Sequence, residues 1–122
     1  MRFIGSLGVA AVGLALGCGS STNYGGSTGG GTPGPNEVFM QNIAFNPTTL
    51  TVAAGTTVTW TNQDGVGHTV TYDSGPGSSF DSGTISGGST FSVTFPTAGT
   101  VQYHCKIHGS TGAGMHATII VQ

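Results

Sequence analysis

Charged side chains are the scarcest feature of this 122-residue sequence, which has two Lys or Arg residues and four Asp or Glu residues. The formal net charge is −2 at pH 7 with His counted as neutral. Because so few basic residues cannot form a patch for phosphate groups, the composition predicts no nucleic-acid partner. Few charges of either sign also predict that no strong electrostatic field steers the protein toward a partner.

Helical periodicity and common catalytic motifs are absent as well. Residues 37–122 have no apolar repeat at the 3.6-residue period of a helix. The glycine-rich stretches have no Lys or strand-to-helix context of a phosphate-binding loop, and the sequence around the histidines gives no support for a Ser/His/Asp catalytic site. The sequence therefore predicts a chain that is not an enzyme.

Apolar runs are short except at the N-terminus, where residues 3–16 follow Met1-Arg2. This run is shorter than the roughly 20 residues of a transmembrane helix and is typical of a secretory signal peptide. It ends in small residues before Cys18, as in a bacterial lipobox. We therefore expect a signal peptide over 1–17, export to the periplasmic or cell-envelope side, and membrane attachment through a lipid on Cys18. An ordinary signal peptide cut nearby, with Cys18 incidental, is the alternative.

Two regions follow the predicted signal peptide. Residues 18–36 are rich in Gly, Ser, Thr and Pro, with too few apolar groups to fold, and are typical of a flexible tether. Residues 37–122 form the predicted domain, which is long enough for a two-layer core.

Apolar residues alternate with polar ones throughout that domain, and turn signals separate the runs. The alternating sets are Leu50/Val52, Val58/Trp60, His68/Val70, Phe91/Val93/Phe95, Val101/Tyr103/Cys105, and either Thr118/Ile120 or Ile119/Val121. Many short strands at this spacing predict an all-β fold, an antiparallel β-sandwich. Trp60, Phe91, Phe95 and Met40 are predicted to lie in its core.

Four side chains with metal-binding atoms stand out: His68, Cys105, His108 and Met115. One thiolate, two imidazoles and one thioether are the donor set of a copper site for electron transfer. If Cys18 carries lipid, Cys105 has no disulfide partner in an oxidising compartment, and a metal would protect its thiol. A buried, inert cysteine would leave His108 unexplained. We expect His68 at a strand start, Cys105 at a strand end, and the other two donors in the loop before the last strand.

Longer stretches around these donors resemble the cupredoxins, in particular the plastocyanin, pseudoazurin and amicyanin group. The matching segments are Asn46-Pro47, Leu50-Thr51-Val52, residues 55–62, Gly67-His68-Thr69-Val70, residues 80–85, residues 99–103, Cys105-x2-His108 and Gly112-Ala113-Gly114-Met115. The resemblance implies a Greek-key β-sandwich with one type 1 copper. It also implies that His68, Cys105 and His108 are ligands and that Met115 is a weak axial ligand.

The spacing between His108 and Met115 departs from the resemblance. Six residues, 109–114, separate the two donors, whereas plastocyanin-like proteins place four there and amicyanin-like ones two. We expect the additional residues to form a bulge at Gly109-Ser110-Thr111.

The remaining histidines are predicted to lie outside the site. His104 should face away from the copper, on the exterior of the sheet, because it alternates with Cys105. A His beside the copper-binding Cys holds a second copper in copper nitrite reductases, but that site needs more histidines than His104 and His116. His116 is predicted to be solvated.

The predicted function is one-electron transfer, Cu(II)/Cu(I), by a monomer that docks transiently with donor and acceptor redox proteins near His108. A copper carrier or metallochaperone that delivers copper to an extracytoplasmic cuproenzyme is the alternative. Carriers tend to use exposed sites rich in Met and His, whereas a thiolate in a rigid sandwich favours electron transfer. A metal-free structural module is a third interpretation, which the four donors argue against.

Overall fold

The computed structural model describes residues 31–122. The predicted signal peptide, Cys18 and the tether up to residue 30 lie outside the described residues. Eight strands are present: β1 (Glu37–Met40), β2 (Phe45–Asn46), β3 (Thr49–Val52), β4 (Thr56–Asn62), β5 (Thr71–Ser74), β6 (Thr90–Phe95), β7 (Gly99–Ser110) and β8 (Ala113–Val121). None of residues 31–122 belongs to a helix long and apolar enough to cross a membrane.

The strands form two four-stranded sheets, in the orders β2-β1-β4-β6 and β3-β8-β7-β5. Successive strands from β2 to β7 alternate between the sheets, so that strands distant in sequence become neighbours. The predicted β-sandwich is thus confirmed. The pairs β1/β4 and β3/β8 are parallel, whereas the other pairs are antiparallel. Alternation could not predict this difference, because it indicates which side chains face inward and not the direction of the neighbouring strand.

Aromatic rings fill the space between the sheets around Trp60, which is fully buried. Its ring centroid lies 5.4 Å from that of Tyr103, 6.2 Å from that of Phe91 and 6.3 Å from that of Phe95. The indole Nε1 donates a hydrogen bond of 3.1 Å to the Tyr103 hydroxyl. Burial raises the pKa of Tyr103 far above its ordinary value, despite the opposing effect of this bond, so the hydroxyl stays protonated. The predicted core positions of Trp60 and Phe95 are confirmed, whereas Phe91 is partly buried and packs against the core.

Burial follows the predicted alternation on β4, β6 and β8, whereas three successive residues of β1 are buried. Met40 is fully buried at the end of β1, as predicted. On β8 the side chains of Ile119 and Val121 face inward. Of the two alternatives that the sequence left open, Ile119/Val121 is therefore the buried one and Thr118/Ile120 is not. The described residues from Thr32 to Gln122 form one compact unit.

Candidate metal centre

An irregularity in the pairing of β7 with β8 creates the site. His104 pairs with His116, and the next pair is Gly109 with Gly114. Between these two pairs, residues 105–108 of β7 oppose the single residue 115 of β8. Such a bulge bends a strand and redirects its side chains. It therefore allows side chains three residues apart, at 105 and 108, to converge, which a regular strand would not.

Three of the predicted donors lie together at this bulge. The Sγ atom of Cys105 lies 3.7 Å from Nδ1 of His108 and 3.8 Å from Nδ1 of His68. The two Nδ1 atoms are 3.1 Å apart. Cys105 and His68 are fully buried, whereas His108 is partly exposed. The structure thus brings together three of the four predicted donors, although His68 precedes Cys105 by 37 residues.

This triangle of donors has the dimensions of a metal site. One ion could bond to all three at lengths of about 2.0–2.1 Å to nitrogen and about 2.3 Å to sulfur, the values that zinc shows with the same ligands. Two imidazoles and one thiolate in a trigonal arrangement, with a weak axial Met, are typical of copper sites that transfer electrons. The residues present therefore fit copper.

Met115 occupies the position on β8 that faces the bulge, and it is buried. It was expected in a loop together with His108, but both residues belong to strands. β7 also continues five residues beyond Cys105, which was expected to end it, because the hairpin extends past the site. His68 lies before β5 rather than at a strand start, with only an isolated bridge to Ile85.

The six residues between His108 and Met115 form a hairpin rather than the expected bulge at 109–111. Gly109 pairs with Gly114 and Ser110 with Ala113, which leaves a two-residue turn. Two-residue turns are the commonest connection in β-hairpins. The bulge lies before Gly109, at residues 105–108. A Cβ atom on Gly109 would come within 2.5 Å of the Met115 nitrogen. Only glycine permits the two strands to approach this closely beside the site.

Thr69 fixes the cysteine, a contact that sequence reasoning missed. Its backbone N–H donates a hydrogen bond of 3.3 Å to Cys105 Sγ. Its hydroxyl oxygen accepts a bond of 2.8 Å from the backbone N–H of Lys106. These two bonds tie the loop before β5 to Cys105 and Lys106 on β7. The position of Thr69 directly after a predicted ligand was the only sequence signal for this role.

Asp64 supports the upstream histidine and was also missed. Its Oδ2 lies 2.7 Å from Nε2 of His68. Burial would raise the pKa of Asp64, but the hydrogen bonds from Ile43, His68 and Asn42 outweigh that effect and lower it below its usual value. The carboxylate is therefore ionised at neutral pH. An acidic residue four positions before a ligand was the available sequence signal.

A buried amide holds the loop that carries Asp64. Asn62 is 1 % exposed. Its Nδ2 donates to the carbonyl oxygens of Val66, at 2.7 Å, and Ile85, at 2.9 Å. Its Oδ1 accepts a bond of 2.9 Å from the backbone N–H of Asp64. Side-chain hydrogen bonds of Asn62 thus hold the loop between β4 and His68, which is not part of a strand.

The other two histidines lie outside this centre, as predicted. Nδ1 of His104 is 2.7 Å from Oδ1 of Asp73 on the outer face of the second sheet. His116 is exposed and pairs with His104 across the β7/β8 ladder. Within residues 31–122, the only group of three or more His, Cys, Asp or Glu side chains close enough to share a metal is His68, Cys105 and His108.

Several known proteins are similar to this chain. A plastocyanin from Scenedesmus fuscus is 39% identical over 88 residues, which cover 66% of this chain and 88% of that protein. Amicyanin-alpha from Methylorubrum extorquens is 35% identical over 77 residues, covering 62% of this chain and 65% of the relative. The chain thus spans most of the first protein and slightly less than two thirds of the second.

Solved structures give the same result for the fold. An oxidised amicyanin variant superimposes with a TM-score of 0.63 and 26% identity, over 79% of this chain and 87% of that one. A purple cupredoxin from Nitrosopumilus maritimus gives a TM-score of 0.60 and 25% identity, over 70% of this chain and 98% of the other.

A family described as copper-binding proteins of the plastocyanin/azurin type matches residues 35–122. This match confirms the predicted resemblance and the predicted copper. It also confirms that the chain is not an enzyme, because plastocyanin-like and amicyanin-like proteins are electron carriers. The chain belongs to the plastocyanin/azurin family of copper-binding proteins.

Proposed function

We propose that this protein carries single electrons between redox proteins through one type 1 copper. Cys105, His68 and His108 are the equatorial ligands in this proposal, and Met115 is the weak axial ligand. The observation that carries the proposal is the triangle of two imidazole nitrogens and one sulfur, with all three atoms within 4.8 Å of one another. Bound copper supplies the Cu(II)/Cu(I) couple.

The surroundings of the donors suit electron transfer because they restrict movement. Cys105 and His108 belong to a strand paired on both sides of the bulge, and Thr69 ties the cysteine to the neighbouring loop. Donors that keep their positions in both oxidation states reduce the reorganisation that accompanies each transfer. Burial of the cysteine and of His68 also argues against a carrier, which needs ready access for metal exchange.

Partners would dock at the partly exposed His108. Three large apolar side chains are exposed among the described residues, and each is linked to the site: Ile107 precedes His108, Val66 lies two residues before His68, and Ile43 hydrogen-bonds Asp64. Exposed apolar groups around a partly exposed ligand favour small, weakly polar interfaces, which are typical of transient redox complexes. The protein itself is proposed to be a monomer.

Replacement of Ile107 by Ser should slow electron exchange with a redox partner while leaving the reduction potential unchanged. Ile120→Ser is the matched control, because Ile120 is a half-buried residue on β8 whose strand partners lie at the other end of the sheet. Equal rates for the two variants in stopped-flow mixing would exclude docking at this surface.

The N-terminal sequence supports a location outside the cytoplasm. Residues 1–17 would direct export, Cys18 would carry lipid, and residues 18–36 would tether the domain of residues 37–122 to the membrane. Cys18→Ser should release the protein from the membrane fraction or block its processing. Mass spectrometry of the mature N-terminus provides the direct check, and an unacylated terminus would mean a freely secreted protein.

Addition of Cu(II) to the purified protein tests the function itself. An intense blue colour, reversible reduction and slow copper loss to a chelator are expected. Cys105→Ser should abolish the blue band while the sandwich stays folded, because the band arises from the thiolate–Cu(II) pair. Rapid copper loss from the unaltered protein would favour the carrier, and a variant that stays blue would remove Cys105 from the site.

A further inference from the structure

The two ring nitrogens of His68 face different groups. Its Nδ1 faces the other donors, 3.1 Å from Nδ1 of His108 and 3.8 Å from Sγ of Cys105. Its Nε2, on the opposite edge of the ring, is 2.7 Å from Oδ2 of Asp64. The ring is fully buried, so no water competes with the carboxylate for this nitrogen.

The carboxylate is itself held in place by a turn from another part of the chain. The backbone N–H of Asn42 donates to Oδ1 of Asp64 at 2.8 Å, and that of Ile43 donates to Oδ2 at 3.0 Å. Both turn residues have left-handed φ angles, 57° and 56°. This conformation is rare for a β-branched residue such as Ile. The turn between β1 and β2 therefore adopts an unfavourable backbone conformation in which two N–H groups converge on one carboxylate.

We propose that Asp64 is a positioning residue that holds His68 in the Nε2–H tautomer and strengthens it as a ligand to Cu(II). An imidazole that donates its second N–H to a carboxylate is more basic at the nitrogen that binds the metal. Cu(II) carries the larger charge and gains more from a basic ligand and a nearby negative charge than Cu(I) does. Asp64 thus lowers the reduction potential. This role rests on the proposed function.

A purely structural role for Asp64 makes a different prediction. If the carboxylate only ties the turn at Asn42 and Ile43 to the loop before His68, its loss would weaken both oxidation states equally. The potential would then stay the same, because it depends on the ratio of the affinities for Cu(II) and Cu(I). The reduction potential therefore separates the two roles.

Asp64→Asn in the copper-loaded protein tests the proposal, because the amide keeps the shape of the side chain and removes its charge. The affinity for Cu(II) should fall about 10- to 100-fold, the usual effect of losing a group that supports a ligand. The affinity for Cu(I), measured by competition with a Cu(I)-specific chelator, should fall less, and the potential should rise. Glu37→Gln is the matched control, since it removes one negative charge at the far end of β1 and should leave the potential unchanged.

Three results would overturn the proposal: an unchanged potential in Asp64→Asn, an equal loss of affinity for both oxidation states, or the same shift in Glu37→Gln. Should the Asn variant not fold, NMR of the unaltered Cu(I) protein gives a second test. The His68 Nε2 proton should appear far downfield and exchange slowly with solvent, and fast exchange would exclude the hydrogen bond. If the unaltered protein forms no blue Cu(II) complex, the proposed function has failed rather than the role of Asp64.

Discussion

The molecule contains two Asp–His pairs with the same separation and different surroundings. Oδ2 of Asp64 is 2.7 Å from Nε2 of His68, and Oδ1 of Asp73 is 2.7 Å from Nδ1 of His104. All four side chains are largely buried. The first pair lies in the loop before β5, beside Cys105. The second lies on the outer face of the sheet that contains β5, β7 and β8.

The partners of each pair explain the difference in role. The free nitrogen of His68 faces two other donors, and both oxygens of Asp64 accept backbone hydrogen bonds. Asp73, in contrast, accepts a second bond from the Thr111 hydroxyl at 2.8 Å on the oxygen that contacts His104, while its Oδ2 is buried without a partner. The second pair therefore anchors the tip of the β7/β8 hairpin. Contacts of the same length thus support a proposed metal ligand in one place and a hairpin in the other.

Removal of each histidine should give the largest difference between the two pairs. His68→Ala should lose copper affinity by more than the roughly 10- to 100-fold that loss of a supporting group causes, because a direct bond to the metal disappears. His104→Ala should keep its copper and its blue band. Titration with Cu(II) in the presence of a competing chelator measures both. Equal copper loss in the two variants would mean that the outer pair also contributes to the metal centre.

Met115 is the predicted donor that follows the hairpin anchored by the second pair. Met115→Gln offers a harder oxygen donor and should favour Cu(II), so the potential should fall while the protein stays copper-loaded. A tenfold shift in the ratio of the two affinities corresponds to about 59 mV for one electron. Met40→Leu, a volume-conserving change of a core methionine, should leave the potential unaltered. If voltammetry finds no shift in Met115→Gln either, Met115 is not an axial ligand.

Asp73 should affect stability and not the potential. Asp73→Ala leaves His104 Nδ1 and the Thr111 hydroxyl without their acceptor, which should lower the free energy of unfolding by about 1–3 kcal/mol. Urea denaturation of the metal-free protein measures this loss. The buried Oδ2 of Asp73 has no hydrogen-bond partner, and such an atom is itself destabilising. Because the Ala variant also removes this atom, the expected loss lies toward the lower end of that range. A shift of the potential would contradict a purely structural role for this pair.

The sequence predicted the donor residues better than it predicted the residues that hold them in place. A soft thiolate, two imidazoles and a thioether are unusual in one small chain, so His68, Cys105, His108 and Met115 could be recognised by type and order alone. The strand positions of His108 and Met115 were not predicted, because the bulge at residues 105–108 depends on the pairing of β7 with β8 rather than on local alternation.

Asp64, Thr69 and Asn62 are not unusual by residue type, and only the positions of Asp64 and Thr69 near His68 offered a signal. Each is a common polar residue in or next to a turn, and its role depends on hydrogen bonds to segments far away in sequence, such as Ile43 or Cys105. The same holds for the parallel pairs of strands, which alternate in the same way as antiparallel ones. Composition and periodicity thus predict layers, core and donors, whereas the contacts that orient the donors require the three-dimensional structure.

A third pair, the exposed ion pair of Lys106 and Asp81, should have the smallest effect on stability. The Nζ atom of Lys106 lies 2.6 Å from Oδ2 of Asp81, and both side chains are more than two-fifths exposed. The hydrogen bond from Lys106 is the main cause that lowers the pKa of Asp81, followed by the backbone N–H of Gly83. Exposed ion pairs contribute less than about 1 kcal/mol, because water and salt screen them.

The pH dependence of Asp81→Asn follows from the direction of that shift. A carboxylate whose pKa is lower in the folded state stabilises the fold above its unfolded pKa, about 3.9, and loses that contribution as the pH falls through the folded value. At neutral pH the variant should therefore unfold at slightly lower urea concentration than the unaltered protein, and the difference should vanish in acid. The difference should also shrink at about 1 M salt, where the screening length is about 3 Å. A difference that persists in acid or grows with salt would show that Asp81 acts through packing or through Gly83 and not through its charge.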